Sequence, residues 1–146
     1  MDSIGVGLIG YKFMGKAHSN AYRQMHAFFP DAPKPRMVAI AGRNEAAVSA
    51  AADQFGWESW ETDYHTLLDN DEIDIIDVST PGHLHHTVVL EALAAGKHVL
   101  CEKPLANSLA EMVQAWRRAG TIAMINFNYR KVPAVMLAKQ LISEGQ

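Results

Sequence analysis

The chain has 146 residues and a formal net charge of −3, with 49% hydrophobic and 20% charged residues, enough for one domain with one sizeable core and an ordinary globular composition. Its basic residues are scattered, whereas phosphate-backbone binding calls for a basic stripe, so nucleic acid is not an expected partner. One cysteine, Cys101, excludes an internal disulfide; with no basic flank and long apolar core at Met1-Asp2-Ser3, and no apolar run of bilayer length, neither a signal peptide nor a membrane partner is expected, and the expected location is cytoplasmic.

Apolar runs and helical periods alternate along the chain. Residues 4–9 form the first predicted strand and 13–28 the first helix. A strand at 37–41 leads to an alanine-rich helix at 44–55 that ends at Gly56. A weak strand at 58–60 and a short helix at 64–68 follow, then an apolar strand at 73–79 broken only by Asp74 and Asp77. The helix at 84–95 stops at Gly96, a residue suited to a left-handed cap. A fifth strand spans 97–101, and Leu109, Met112, Val113 and Trp116 mark the buried stripe of the next helix. The sixth strand is 121–127; Pro133 suits a first helical turn, and Ala134, Leu137, Ala138, Leu141 and Ile142 repeat at helical spacing. Strict β-α alternation predicts an α/β, doubly wound parallel sheet, because parallel neighbours need crossover connections.

Chemistry is expected at the carboxyl ends of the strands. The first strand opens into Gly10-Tyr11-Lys12-Phe13-Met14-Gly15, where a dinucleotide fingerprint belongs. Gly10 permits a tight turn, Gly15 close helix packing, and the helix start offers N–H groups to a pyrophosphate. Lys12 replaces the middle glycine: either its side chain points away, altering the pose, or its ammonium neutralises phosphate charge. The second strand ends in Gly42-Arg43 where NAD-binding domains carry an acidic residue for the ribose. Arg43 can pair with a 2′-phosphate, which favours NADP with NAD possible; the bland alternative is a solvated loop arginine.

After the fourth strand come Ser79, Thr80, Pro81, Gly82, His83, Leu84, His85 and His86. Three histidines so close invite a metal reading, but successive helical residues diverge by about 100° and no Cys or carboxylate pattern accompanies them. No metal is expected, and His83 and His86 are expected to be exposed. The fifth strand ends in Cys101-Glu102-Lys103-Pro104, which would put an ammonium near the cofactor loop; a surface ion pair and turn would explain it equally well. Cys101 itself reads as a buried strand residue.

Taken together, residues 7–18, 80–85, 96–106 and 126–133 resemble the Gfo/Idh/MocA family of oxidoreductases, with Gly-Lys-His-Val-Leu-Cys-Glu-Lys-Pro-Leu-Ala at 96–106 the most specific stretch. The resemblance implies hydride transfer between a nicotinamide cofactor and a hydroxyl-bearing carbon of a sugar, inositol or polyol. By that resemblance Lys103 is the catalytic lysine beside substrate and nicotinamide, and Glu102 holds either the cofactor or Lys103. Thr80, Pro81 and His85 flank the nicotinamide end, and Asn128 and Arg130 reach the cofactor–substrate edge. His18 belongs to the family pattern, with packing against a neighbouring strand as the alternative reading. Two departures stand out: Lys12, and a shortened 107–120 stretch, either a helix that loses nearly one turn or a sequence missing a few residues there. The resemblance also implies a second domain after residue 146 and a homo-oligomer when full length. A sugar dehydrogenase is the leading reading; the alternatives are an NAD-dependent glycosidase of the oxidation–elimination type and a non-catalytic nucleotide-binding module.

Overall fold

The computed structural model describes residues 3–105, 116–117 and 119–145. In chain order these form β1 (Ser3–Ile9), α1 (Phe13–Phe28), β2 (Lys34–Ala41), α2 (Glu45–Phe55), β3 (Ser59–Glu61), α3 (His65–Leu68), β4 (Ile75–Val78), α4 (His85–Ala94), β5 (His98–Cys101), β6 (Ala123–Ile125) and α5 (Pro133–Ser143). Single 3-10 turns precede α4 (Gly82–Leu84) and α5 (Asn128–Lys131).

The strands build one sheet in the order β3-β2-β1-β4-β5-β6. Every described pairing is parallel, as the α/β alternation requires. The chain moves outward one way from β1 to β3, then returns to lay β4 on the other side of β1. The carboxyl ends of β1 and β4 therefore diverge around a crevice, the place where such sheets take ligands.

Each face of the sheet carries its own apolar cluster. Val6, Leu8, Met37 and Ile40 meet Val48, Ala51 and Ala52 of α2 together with Trp57. On the other face Ile9, Val38, Ile76, Val78 and Val99 pack with Leu67 and Leu68 of α3 and Val88, Val89, Ala92 and Leu93 of α4. Strand side chains alternate between faces, so burial on both sides explains the nearly unbroken hydrophobicity of the central strands. A register shift between Val6 and Gly7 lets two residues of β2 oppose one step of β1.

Outside the helix expected around 109–116, the predicted elements are recovered, with informative differences at their ends. β2 starts at Lys34, three residues before the apolar run, because Pro35 and Arg36 still pair with β1. β4 is trimmed to Ile75–Val78: the Asp74 carboxylate turns back to accept Gly5 N–H at 2.7 Å. α2 begins one residue later than expected because Asn44 is its cap, the side chain accepting Ala47 N–H. Gly96 does adopt the left-handed conformation after α4, with φ +75°.

The apolar spacing at 134–142 does form α5, with Pro133 at its first turn, yet the described residues leave its apolar face open: Leu137 and Ile142 are 55% and 75% exposed. Trp116, expected on a buried stripe, is exposed, its indole N–H donating to the Thr121 carbonyl. Leu109, Met112 and Val113 lie outside the described residues. No described helix is long and apolar enough to cross a membrane.

Candidate active site

A cavity of about 880 Å³ opens at the carboxyl edge of the sheet. Its walls are residues 10–14 from the β1–α1 turn, 42–44 after β2, 62–64 after β3, 79–81 after β4, and Leu84, Thr87 and Val88 near and on α4. Four successive β-α connections thus converge on one space, as the crevice position requires.

The β1–α1 turn is shaped by two glycines. Gly10 has φ +109°, and a Cβ there would stand 2.7 Å from the Ser79 carbonyl oxygen. A Cβ on Gly15 would stand 2.0 Å from the Gly10 carbonyl oxygen, so α1 starts hard against the turn only because Gly15 has no side chain. Lys12 shows why its own departure from the fingerprint is tolerated: φ −77° and ψ −153° suit any residue. Lys12 is exposed and lines the cavity mouth beside Phe13 and Met14. An ammonium therefore stands at the helix end whose first N–H groups lack intrahelical partners.

Where an acidic residue would hold a ribose, Gly42 is covered by an aromatic ring. A Cβ at Gly42 would lie 2.3 Å from Cδ1 and Cε1 of Tyr11. A carboxylate cannot occupy this position while Tyr11 keeps its place, so Tyr11 and the missing acid are two sides of one feature. Arg43 follows, exposed, on the cavity wall. Ser79, Thr80 and Pro81 form the opposite rim. The Thr80 hydroxyl is buried with no hydrogen-bond partner among the described residues, and buried polar groups are ordinarily paired. Glycine-shaped backbone, a helix start, two flanking cations and an unpaired wall hydroxyl fit a phosphate-bearing dinucleotide.

Behind the cavity lies a polar cluster that sequence reading saw only in part. His18, on α1, places Nδ1 2.7 Å from Asp77 Oδ2 and Nε2 3.1 Å from Glu102 Oε1. Tyr22 donates its hydroxyl to Asp77 Oδ2 at 2.6 Å, and Asn126 donates its amide to Glu102 Oε1 at 2.6 Å. Ser79 Oγ donates to Asp77 Oδ1 at 3.4 Å. Asp77 is 0% exposed, Glu102 5% and His18 8%. Burial by itself would lower the His18 imidazolium pKa; the hydrogen bonds and negative charge of Asp77 and Glu102 outweigh it, and the net displacement is upward. Burial, then the charge of Asp77, holds the Tyr22 phenol well above its ordinary range. The Cys101 thiol is pushed up to about 12 by burial and by Asp77 and Glu102, so it is a buried, unreactive strand residue as its sequence context suggests. Asp77, Tyr22 and Asn126 were missed at the sequence level; the one available signal was a carboxylate inside an otherwise apolar strand.

Two residues expected against the cofactor are turned elsewhere. Glu102 faces inward to His18 and Asn126, and its Oε2 accepts Lys103 N–H at 3.2 Å. His85 is 1% exposed; Nδ1 lies 2.8 Å from the Pro104 carbonyl and Nε2 2.8 Å from the Thr80 carbonyl. It braces the β4 loop against the Lys103–Pro104 turn from below, instead of lining the cavity. Lys103 is exposed on that turn, and Asn128 and Arg130 are exposed on the turn after β6. None of these three lines the cavity wall. His83 is exposed as expected, whereas His86 is half-buried on α4.

Comparison with known proteins agrees with this arrangement. The oxidoreductase family with an NAD-binding Rossmann fold, Gfo/Idh/MocA, matches residues 4–127. Levoglucosan dehydrogenase of Pseudarthrobacter phenanthrenivorans is 44% identical over 149 residues, covering 99% of this chain and 38% of that protein. Inositol 2-dehydrogenase of Rubrobacter xylanophilus is 30% identical, covering 99% of this chain and 41% of that protein. A solved structure of levoglucosan dehydrogenase in complex with NADH and levoglucosan superposes with a TM-score of 0.92 at 44% identity, covering 98% of this chain and 40% of that one. The chain thus spans about two fifths of the length of these relatives. By the family match and the shared fold, the chain belongs to the Gfo/Idh/MocA oxidoreductases and corresponds to their NAD-binding Rossmann region.

Proposed function

We propose that this chain is the dinucleotide-binding part of a dehydrogenase that moves hydride between a nicotinamide cofactor and a hydroxyl-bearing carbon of a sugar or polyol. The observation that carries this reading is the convergence of the phosphate-shaped β1–α1 turn, the Thr80–Pro81 rim and the Lys103 turn on one edge, the last two tied together through His85. Levoglucosan dehydrogenase, D-apiose dehydrogenase and inositol 2-dehydrogenase among the relatives point to the same substrate class. Gly10, Lys12, Phe13 and Met14 would hold the pyrophosphate, and Ser79, Thr80 and Pro81 the nicotinamide end. Arg130 would reach the cofactor and Asn128 the substrate from the turn after β6.

When bound, nicotinamide supplies the hydride acceptor. Lys103 would hydrogen-bond the reacting hydroxyl and stabilise the negative charge that grows on its oxygen as hydride leaves carbon. An unprotonated Lys103 amine would take the hydroxyl proton as hydride passes to the nicotinamide, and the ammonium so formed would offset the charge on the oxygen. Glu102 Oε2 accepts the backbone N–H of that lysine, while its Oε1 meets His18 and the Asn126 amide.

Arg43, with no carboxylate at Gly42, makes NADP the proposed cofactor, since the guanidinium can pair with a 2′-phosphate and the usual ribose-binding acid is missing. NAD is the second reading, favoured by the NADH held in solved structures of levoglucosan dehydrogenase. Fluorescence titration of the purified chain with NADPH and NADH, repeated on Arg43→Ala, separates them. With NADP as cofactor, Arg43→Ala weakens NADPH about 10–100-fold, the worth of one charged hydrogen-bonding pair, and leaves NADH nearly unchanged. Tighter binding of NADH, untouched by the substitution, would make NAD the cofactor.

A further inference from the structure

We propose that His18 is a positioning residue for Lys103, acting through Glu102 from the buried side of the sheet. The inference rests on Lys103 being the residue that meets the substrate, as proposed above. Its geometric basis is independent of any bound molecule. His18 sits on α1, the helix whose first turn lines the cavity. Both its ring nitrogens face carboxylate oxygens, Asp77 on one side and Glu102 on the other. A carboxylate oxygen facing a ring nitrogen can only accept, so both contacts are hydrogen bonds only when the ring carries both N–H groups, as the imidazolium does.

Glu102 is consequently fixed by one oxygen and put to use by the other. Oε1 takes His18 and the Asn126 amide; Oε2 takes the backbone N–H of Lys103. Without the imidazolium, two buried carboxylates would share a pocket with only neutral donors, and Glu102 would gain by turning toward water. That rotation releases the Lys103 N–H and the turn that follows it. His18 therefore does for Lys103 from behind what His85 does for the next residue through the Pro104 carbonyl.

The groups facing His18 allow a clean reading by titration. Tyr22 of α1, Asp77 and Ser79 from β4 and its end, Cys101 and Glu102 from β5 and its end, and Asn126 after β6 surround it. Tyr22 and Cys101 are both pushed far above neutral, Ser79 and Asn126 carry no charge, and His18 is displaced upward from the ordinary imidazole range.

The test is to follow the His18 ring nitrogens and the Lys103 backbone amide by nuclear magnetic resonance while the pH of the ¹⁵N-labelled chain is raised. The expected result is one shared midpoint: the Lys103 amide shifts as His18 loses its proton. In His18→Gln that step disappears from Lys103 while the rest of the spectrum remains folded. Should that variant fail to fold, Glu102→Gln keeps shape and removes one charge, and should lower the His18 midpoint by about 1 in pH. A Lys103 amide that is silent across the His18 titration, a step that persists in His18→Gln, or a His18 midpoint unmoved by Glu102→Gln overturns the proposal. Failure of the cofactor reading would appear as absence of dinucleotide binding, a separate measurement that this titration does not use.

Discussion

Replacing Asp77 with alanine should lower the stability of this domain by about 3–5 kcal/mol, the usual cost of removing one partner from a buried ion pair. For a domain of this size that corresponds to a fall of roughly 10 °C or more in Tm. Asp77 is fully buried and collects three donors: His18 Nδ1 at 2.7 Å, Tyr22 hydroxyl at 2.6 Å and Ser79 hydroxyl at 3.4 Å. Alanine removes the carboxylate that all three share, and leaves the His18 cation with Glu102 as its one carboxylate partner. The pH dependence has a definite sign. Because the folded-state pKa of His18 is raised above 6.5, its stabilising contribution is complete below 6.5 and fades as pH climbs through the raised value. The stability gap between the parent chain and Asp77→Ala should therefore narrow as pH rises from 6 upward. Chemical denaturation at a series of pH values measures it. A gap below about 1 kcal/mol would reduce the pair to the worth of a surface ion pair, and a gap that widens with pH would reverse the assigned sign.

The second large effect is expected at Lys103. Lys103→Met should reduce turnover of a sugar or polyol substrate by about 10²–10⁴-fold, the range spanned by one general acid–base group. Dinucleotide affinity should stay within about twofold, since the cavity wall is built from other residues. The measurement is steady-state kinetics of the whole protein carrying this domain, alongside cofactor titration of the same variant. Equal losses in cofactor binding and turnover would make Lys103 a binding residue; unchanged turnover would remove it from the chemistry.

Much of the fold was legible because the sequence signals were periodic. The apolar run of β1, and that of β4 interrupted only by Asp77, forced central, doubly covered strands, and the segments between them forced parallel crossovers. Element ends were less legible: nothing in the composition of Lys34-Pro35-Arg36 reveals that these residues pair with β1. Gly10 and Gly15 were readable as turn and packing glycines, since both roles depend on what a missing Cβ allows. What could not be read was long-range pairing between polar groups. His18 and Glu102 are 84 positions apart and each looks like a surface residue in isolation. His85 and Glu102 stand at positions where family resemblance suggests cofactor contact, and only folded geometry reveals that both face backbone or buried partners instead. Tyr11 gave no sequence signal; its role over Gly42 depends on two loops meeting at the cavity floor.

The most direct test of the cavity as the dinucleotide site is to titrate the ¹⁵N-labelled chain with NADPH or NADH and map the amide shifts. Saturable binding that moves residues 10–14, 42–43 and 79–81, with smaller shifts at Lys103, is the expected result. No saturable binding, or shifts confined to β6 and α5 away from the cavity, would contradict it.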